Sequence, residues 1–370
     1  MIETSRAWVE IDVEKLKSNY EKVKSFVSPS SVMAIAKAEA YGHGAVPFCR
    51  TLAECGCEAY AVAAVSEAIN LRKSGIKGVI FVLGWSDPAV AKEICENDIT
   101  VSAVSYNHAL NMSKTGYPVK MHVAIDTGMN RLGEPYDSEM LEKIYSLPSI
   151  VITGSYSHLA MADSINDADV AFTELQIKRF DETIKRLKDR GVKVGRLHLQ
   201  ASYGIVNQAA NHYDYVRPGL LLFGIKSLES DTVQNDLSLS PALSLRARVA
   251  SVKKVKSGSP AGYNRHFTAS RDSVIADVTV GYCDFLPRNY FQNGGYILIK
   301  GKRAPVVDLC MDQLLADVTD IDGVCEGDTV TLIGSDGAEH ISAEQIAKTC
   351  GTISNEIVSR IHSRVGVVYK

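Results

Sequence analysis

The sequence predicts an α/β chain: a (β/α)8 barrel over residues 11–235, then a mostly β domain over 236–370 that takes in a strand from residues 1–10. Three observations carry this prediction. Strand-like runs alternate with helical patterns from residue 12 to about 235. The texture then changes to short β-branched runs separated by Gly, Asp and Lys-Gly turns. Finally, 370 residues exceed most single domains.

The elements follow in order. Arg6-Ala-Trp-Val-Glu-Ile11 alternates like a strand and precedes the barrel, so it is a candidate to pair with the C-terminal domain. Asp12 is a good N-cap for a helix carrying Leu16, Tyr20, Val23 and Phe26 on one stripe. Ser31-Val-Met-Ala-Ile-Ala-Lys37 is mostly apolar, as a strand buried on both faces would be. Further strand-like runs lie near 59–64, 78–83, 99–104, 118–125, 150–157, 195–200 and 213–217. The clearest helix is 168–190, with Ile177, Phe180, Ile184 and Leu187 on one face and Gly191 at its end. After residue 236 the runs are Ala242–Val255, Ser273–Val280, Gly295–Ile299, Ala304–Leu309 and Asp328–Ile333. An open, doubly wound sheet would alternate in the same way. A barrel differs in gathering reactive residues at the C-terminal ends of its strands.

Composition narrows the function classes. Apolar residues at 46% and charged residues at 22% suit a soluble globular enzyme. A net charge of -3 argues against nucleic-acid or anionic-membrane partners, which call for a basic surface. Met1-Ile-Glu-Thr-Ser-Arg6 has no secretory pattern, and apolar runs such as Gly78–Trp85 fall far short of the roughly 18 residues of a membrane span. The eight cysteines include a Cys55/Cys57 pair but no second pair at zinc-ligand spacing, so no metal site is expected. They read as free, mostly buried thiols in a reducing cytoplasm.

The stretch Ala36-Lys37-Ala38-Glu39-Ala40-Tyr41-Gly42-His43-Gly44 is the most informative. A lysine closing an apolar strand is unusual, because ammonium groups are rarely buried without a partner. Lys37 either snorkels from the barrel mouth into water or is a Schiff-base lysine activated by desolvation. Tyr41-Gly-His-Gly44 supplies a phenol and a flexible turn beside it. The segment resembles the pyridoxal 5′-phosphate (PLP) lysine motif of the alanine racemase family, usually written with Asn at the Glu39 position. The resemblance continues at Asp126-Thr-Gly-Met-Asn-Arg131-Leu-Gly133, His158-Leu-Ala-Met-Ala-Asp163 and Val216-Arg217-Pro218-Gly219. It resumes at Gly262-Tyr263-Asn264, Gly281-Tyr282-Cys283-Asp284 and Cys310-Met311-Asp312.

The resemblance implies PLP as cofactor and a two-base racemisation. Lys37 would hold the cofactor and move a proton on one face of the substrate Cα, and Tyr263 would work on the opposite face. A phenol ionises near pH 10 unless its neighbours stabilise the phenolate, and His158 and Arg217 are the family's candidates for that network. Arg217 would face the pyridine nitrogen. An arginine cannot readily protonate the ring, which keeps it a weak electron sink and disfavours transamination. Phosphate contacts fall to Tyr41, Ser202 and backbone amides near Gly219 and Leu220, at the two loops where such barrels commonly bind phosphate. His198 would lie near the cofactor, although a core histidine satisfied by the backbone fits the residues nearly as well. Arg131 would meet the cofactor's phenolic oxygen and the substrate carboxylate. In the family the active sites are shared across a homodimer, so Tyr263 and Met311 of one subunit would complete the site around Lys37 of the other.

Two departures bear on substrate. Ala124 stands where many relatives carry a carbamylated lysine, so a buried Arg131 would need another partner for its charge. Asn355 stands where alanine racemases usually carry tyrosine. It would make room for a hydroxymethyl group and offer a donor and an acceptor. This pattern resembles the racemase domain of vancomycin-resistance-type serine racemases, in which that domain is fused to a membrane domain. The implied reaction is interconversion of L- and D-serine, L- and D-alanine, or both, supplying D-amino acids for peptidoglycan precursors. Two alternatives stay open: a PLP-dependent decarboxylase of the same plan, and a non-catalytic PLP-homeostasis protein. The decarboxylase's Gly-Pro-Thr-Cys-Asp-Gly-like motif is absent, and the homeostasis proteins lack a second domain.

Overall fold

The computed structural model describes residues 6–210 and 213–370. Eight parallel strands close into a barrel. In neighbour order they are Thr100–Ala103, Val79–Val82, Ala59–Val62, Ser31–Ile35, Tyr215–Arg217, Arg196–Ala201, Ile150–Tyr156 and Val119–Asp126. Pairing of Val101 with Met121 joins the last to the first, which excludes the open sheet. Alternate residues divide the apolar surface. Met33, Ile35, Ala59, Ala61, Phe81, Ala124 and Tyr156 form one buried cluster inside the barrel. Val32, Ala34, Tyr60 and Val62 point into the larger core under the helices.

The helices begin where the chain supplies caps. Asp12 accepts from the Lys15 amide to start Val13–Phe26, and Asn166 accepts from the Asp169 amide to start Asp167–Asp189. Gly191, with φ of 79°, follows the end of that second helix.

The C-terminal half is built on a nine-stranded, largely antiparallel sheet. The strand Ala7–Ile11 belongs to this sheet, antiparallel to Leu243–Val255 and parallel to Gly366–Tyr369. Two helices here, Ala343–Cys350 and Ser354–Ser359, were not anticipated. The first carries a readable capping box, Ser342 with Gln345, and a left-handed Gly351. Its single amphipathic pair of turns was too short to stand out from the β texture.

Asp284 ties the two ends of the chain to the loops of this domain. It is fully buried and receives both terminal nitrogens of Arg6 at 2.6 and 2.9 Å, Arg364 Nε at 2.8 Å and the Gly281 amide at 2.7 Å. The cysteines are less buried than the sequence suggested: Cys49, Cys57 and Cys350 are buried, whereas Cys283 and Cys325 are exposed. No helix among the described residues is long and apolar enough to cross a membrane.

Candidate functional site

The reactive residues gather at the C-terminal mouth of the barrel. The strand Ser31–Ile35 ends two residues before Lys37, and the chain then coils left-handed. Ala38, Glu39, Ala40 and Tyr41 have φ between 50° and 55° and ψ between 44° and 53°. Left-handed helix costs L-residues roughly 1–2 kcal/mol each, so four in a row need outside support. Glu67 provides part of it, accepting from the Ala38 amide at 2.7 Å and from the Ala63 and Ala64 amides at 2.8 and 3.0 Å. Glu39 accepts from the Ala45 amide at 3.0 Å. His43 is buried and stacks on Phe223 at 4.1 Å, and its Nδ1 lies 3.0 and 3.1 Å from the Ala40 and Tyr41 carbonyls. Gly42 sits where a Cβ would come within 2.5 Å of the Val358 carbonyl, on the helix that carries Asn355. The turn read as flexible is therefore clamped from both domains.

Lys37 lies between two adjoining cavities. One, of about 260 Å³, has Tyr41, Ser202, Gly219, Leu220 and Asn355 in its wall. The other, of about 210 Å³, has Ala124, Arg131 and Tyr156. Lys37, His158 and Arg217 line both. Burial pulls the Lys37 ammonium below its ordinary pKa, and the charge of Arg131 adds to this while Glu67 opposes it. A larger share of Lys37 is thus free amine near neutrality.

Arg217 is buried at the end of the strand Tyr215–Arg217 and makes four contacts. It donates to the Ser157 carbonyl at 2.8 Å and the Leu199 carbonyl at 2.9 Å, and meets His158 Nδ1 at 3.2 Å and His198 Nδ1 at 2.8 Å. Burial, with the charge of Arg131, lowers it to about 10, still cationic at neutral pH. His158 is pushed down to about 3 by burial, then by Arg217, Arg131 and Lys37, so it is neutral.

The first cavity has the donors an anion needs. Ser202 Oγ receives the Gly219 amide at 3.0 Å and lies 3.4 Å from the Leu221 amide, so backbone N–H groups converge on one point. Tyr41 Oη would be 3.3 Å from a Cβ on Gly219, so a larger residue there would press on the phenol. Burial raises that phenol to about 12, which keeps its proton available for donation.

Three of the expected residues stand elsewhere. His198 lines neither cavity: it is fully buried behind Arg217 and bonded to side chains, not to the backbone. Tyr263 and Met311 are 66% and 52% exposed on the second domain and line neither cavity. Arg131 is exposed at its cavity rim, so water can solvate it and the need for a buried counter-charge beside Ala124 falls away. Asn355 uses its carbonyl oxygen to accept from Ser227 Oγ at 2.8 Å, which leaves its amide N–H₂ as the group on offer. Glu67, Ser227 and Asp308 were missed because each acts through groups distant in sequence. Asp308, fully buried, accepts from the Tyr263 amide at 2.7 Å and fixes the exposed phenol's loop.

Family models for the N-terminal and C-terminal domains of alanine racemase match residues 11–227 and 242–369. An amino-acid racemase of Enterococcus faecalis is 38% identical over 99% of this chain, and a serine/alanine racemase of Enterococcus gallinarum is 36% identical over 99%. The chain spans about half the length of these two relatives, 52% of each. The crystal structure of alanine racemase from Bacillus anthracis with bound L-Ala-P superposes with a TM-score of 0.92 at 31% identity, over 99% of this chain and 95% of that one. With both of its halves matched in order and the architecture shared end to end, this chain belongs to the alanine racemase family, a family of isomerases.

Proposed function

We propose that the chain is a PLP-dependent racemase of serine and alanine. The observation that carries this is the convergence of Lys37, Tyr41, Ser202 and Arg217 on one cavity whose outer wall is Asn355. The residues fit the cofactor chemically. Tyr41, Ser202 and the backbone amides near Gly219 and Leu220 suit its phosphate, Arg217 its pyridine nitrogen, and Lys37 its aldehyde. When bound, PLP supplies the electron sink that makes the substrate Cα–H acidic.

The protein's own groups do the rest. Lys37, short of charge through burial, takes or returns the proton on one face of Cα. Tyr263 of a second copy serves the other face, which accords with its exposure in the single chain. His158 and Arg217 supply fixed polarity, and Arg131 at the rim holds the substrate carboxylate. His158 does not accept a proton here, being held neutral by burial first and then by the charges of Arg217, Arg131 and Lys37.

Gly262 gives a first test of the Tyr263 role. Its φ is 79°, and a Cβ there would come within 2.2 Å of Asp308 Oδ2, the atom that holds the Tyr263 amide. Gly262→Ala is expected to leave far-UV circular dichroism unchanged while racemisation falls by about 10²-fold, the cost of a misplaced group at a reacting centre. Wild-type turnover in this variant would dissociate Tyr263 from the reaction.

Asn355 tests the substrate. With its carbonyl committed to Ser227, its N–H₂ can donate to a substrate hydroxyl. Leaving a buried polar group unpaired costs about 1–3 kcal/mol, so Asn355→Tyr should lower the serine-to-alanine ratio of kcat/KM by roughly tenfold or more. A chiral assay on both amino acids measures it, and an unchanged ratio removes Asn355 from substrate choice. Absence of racemisation with both, together with carbon dioxide release from basic amino acids, would favour a decarboxylase.

A further inference from the structure

Beneath Arg217 the barrel interior holds a line of polar groups that the proton transfers leave unused. Arg217 Nη1 lies 2.8 Å from His198 Nδ1, and His198 Nε2 lies 2.8 Å from His122 Nδ1. A guanidinium has no acceptor, so Arg217 donates and His198 Nδ1 carries no proton. A neutral His198 then holds its proton on Nε2 and donates it to His122 Nδ1. By the same logic His122 is protonated on Nε2. His122 also forms part of the wall of a cavity of about 1220 Å³ at the opposite mouth of the barrel, beside Lys120, Thr153 and Tyr215. The line thus crosses the barrel from the cofactor mouth to the far one.

The surrounding side chains are shaped to this line. Tyr156 stacks on His198 with ring centres 4.9 Å apart and planes within 3°. Phe81 packs on His122 at 4.6 Å and edges against His198 at 5.5 Å. Gly154 leaves room for the second ring: a Cβ there would come within 2.8 Å of His122 Cγ and Cδ2 and 2.7 Å of the Arg196 carbonyl. Both imidazoles are neutral, kept so by burial and then by the charge of Arg217.

We propose that His122 is a positioning residue: acting through His198, it selects the one imidazole tautomer that lets Arg217 hold its guanidinium toward the pyridine end of the cofactor. The proposal rests on the racemase reading of the site. Between Tyr156 and Phe81, His198 Nε2 has no acceptor but His122 Nδ1 among the described residues. Without His122 the Nε2 proton is left buried and unpaired, so the preference that Arg217 imposes is opposed and the Nδ1–H form, donor against donor with Arg217, becomes populated. Arg217 then turns aside and the ring nitrogen loses its partner.

The test compares wild type, His122→Leu and His122→Gln as PLP-loaded full-length proteins. Gln keeps a carbonyl acceptor, and Leu removes it. Ring ¹⁵N shifts report the His198 tautomer without substrate, so failure of this proposal is separable from failure of the racemase reading. Wild type and His122→Gln are expected to show the Nε2–H form. His122→Leu is expected to populate Nδ1–H, shift the visible cofactor band and lower kcat about tenfold with KM nearly unchanged, the low end of the cost of removing a partner behind a functional histidine. Wild-type kcat and an Nε2–H tautomer in His122→Leu would overturn the proposal. So would a loss in His122→Gln equal to that in His122→Leu. Because an Nδ1–H tautomer in the wild-type protein would also overturn it, the test stands even if the Leu variant does not fold.

Discussion

Lys37→Ala is expected to abolish racemisation, with a fall of at least about 10⁴-fold, the upper range for one acid–base group. The loss should exceed that of any other single change, because in the proposed reaction Lys37 both holds the cofactor and moves a proton. Lys37→Arg should not rescue it. Arginine keeps the charge but does not shed its proton, whereas burial and Arg131 already draw Lys37 toward its free amine. Chiral assay gives the rate. Borohydride reduction of the loaded protein followed by peptide mapping gives the attachment point. A covalent label on any other lysine, or appreciable turnover in Lys37→Ala, would overturn the assignment.

The second large effect is on stability. His43 is held at about 4, His122 and His158 at about 3, His198 well below its ordinary value, and His108 is lowered too. Burial is the leading cause in each. In the unfolded chain these residues bind protons near pH 6.5. Between that value and their folded values the unfolded state carries more protons, so stability rises with pH and is lost on acidification. Each histidine contributes up to about 1.4 kcal/mol per pH unit across the window. Urea unfolding at pH 7.5, 6.5, 5.5 and 5.0 should therefore show a steepening loss below about 6.5. Carboxylates held low, such as Glu10, act only below their ordinary value of 4.5 and do not account for this range. Equal unfolding free energies at pH 7.5 and 5.0 would show that the imidazoles are not buried as described.

The barrel was legible because its strands are buried on both faces and its helices on one, which writes two periods into the chain. The site was legible where a reactive residue shares a short segment with its neighbours, as Lys37 does with Tyr41, and Arg217 with Gly219. What stayed hidden acts across distance. Glu67 supports the Lys37 turn through the Ala38 amide, 29 residues away, and Asp308 reaches the Tyr263 amide from 45 residues away. The left-handed turn runs against local preference, since alanine favours the right-handed helix, and only tertiary clamps make it stable. His122 looked like one residue of an apolar strand, and its role appears only when the barrel closes and brings His198 beside it.

The strand Ala7–Ile11 lies between Leu243–Val255 and Gly366–Tyr369, so it comes from before the barrel while both strands that flank it come from after. Without Gly366–Tyr369 beside it, this strand presents an open edge. The β domain, and with it the loop that presents Tyr263, is thus closed by segments from both sides of the barrel, a long-range pairing that is slow to form.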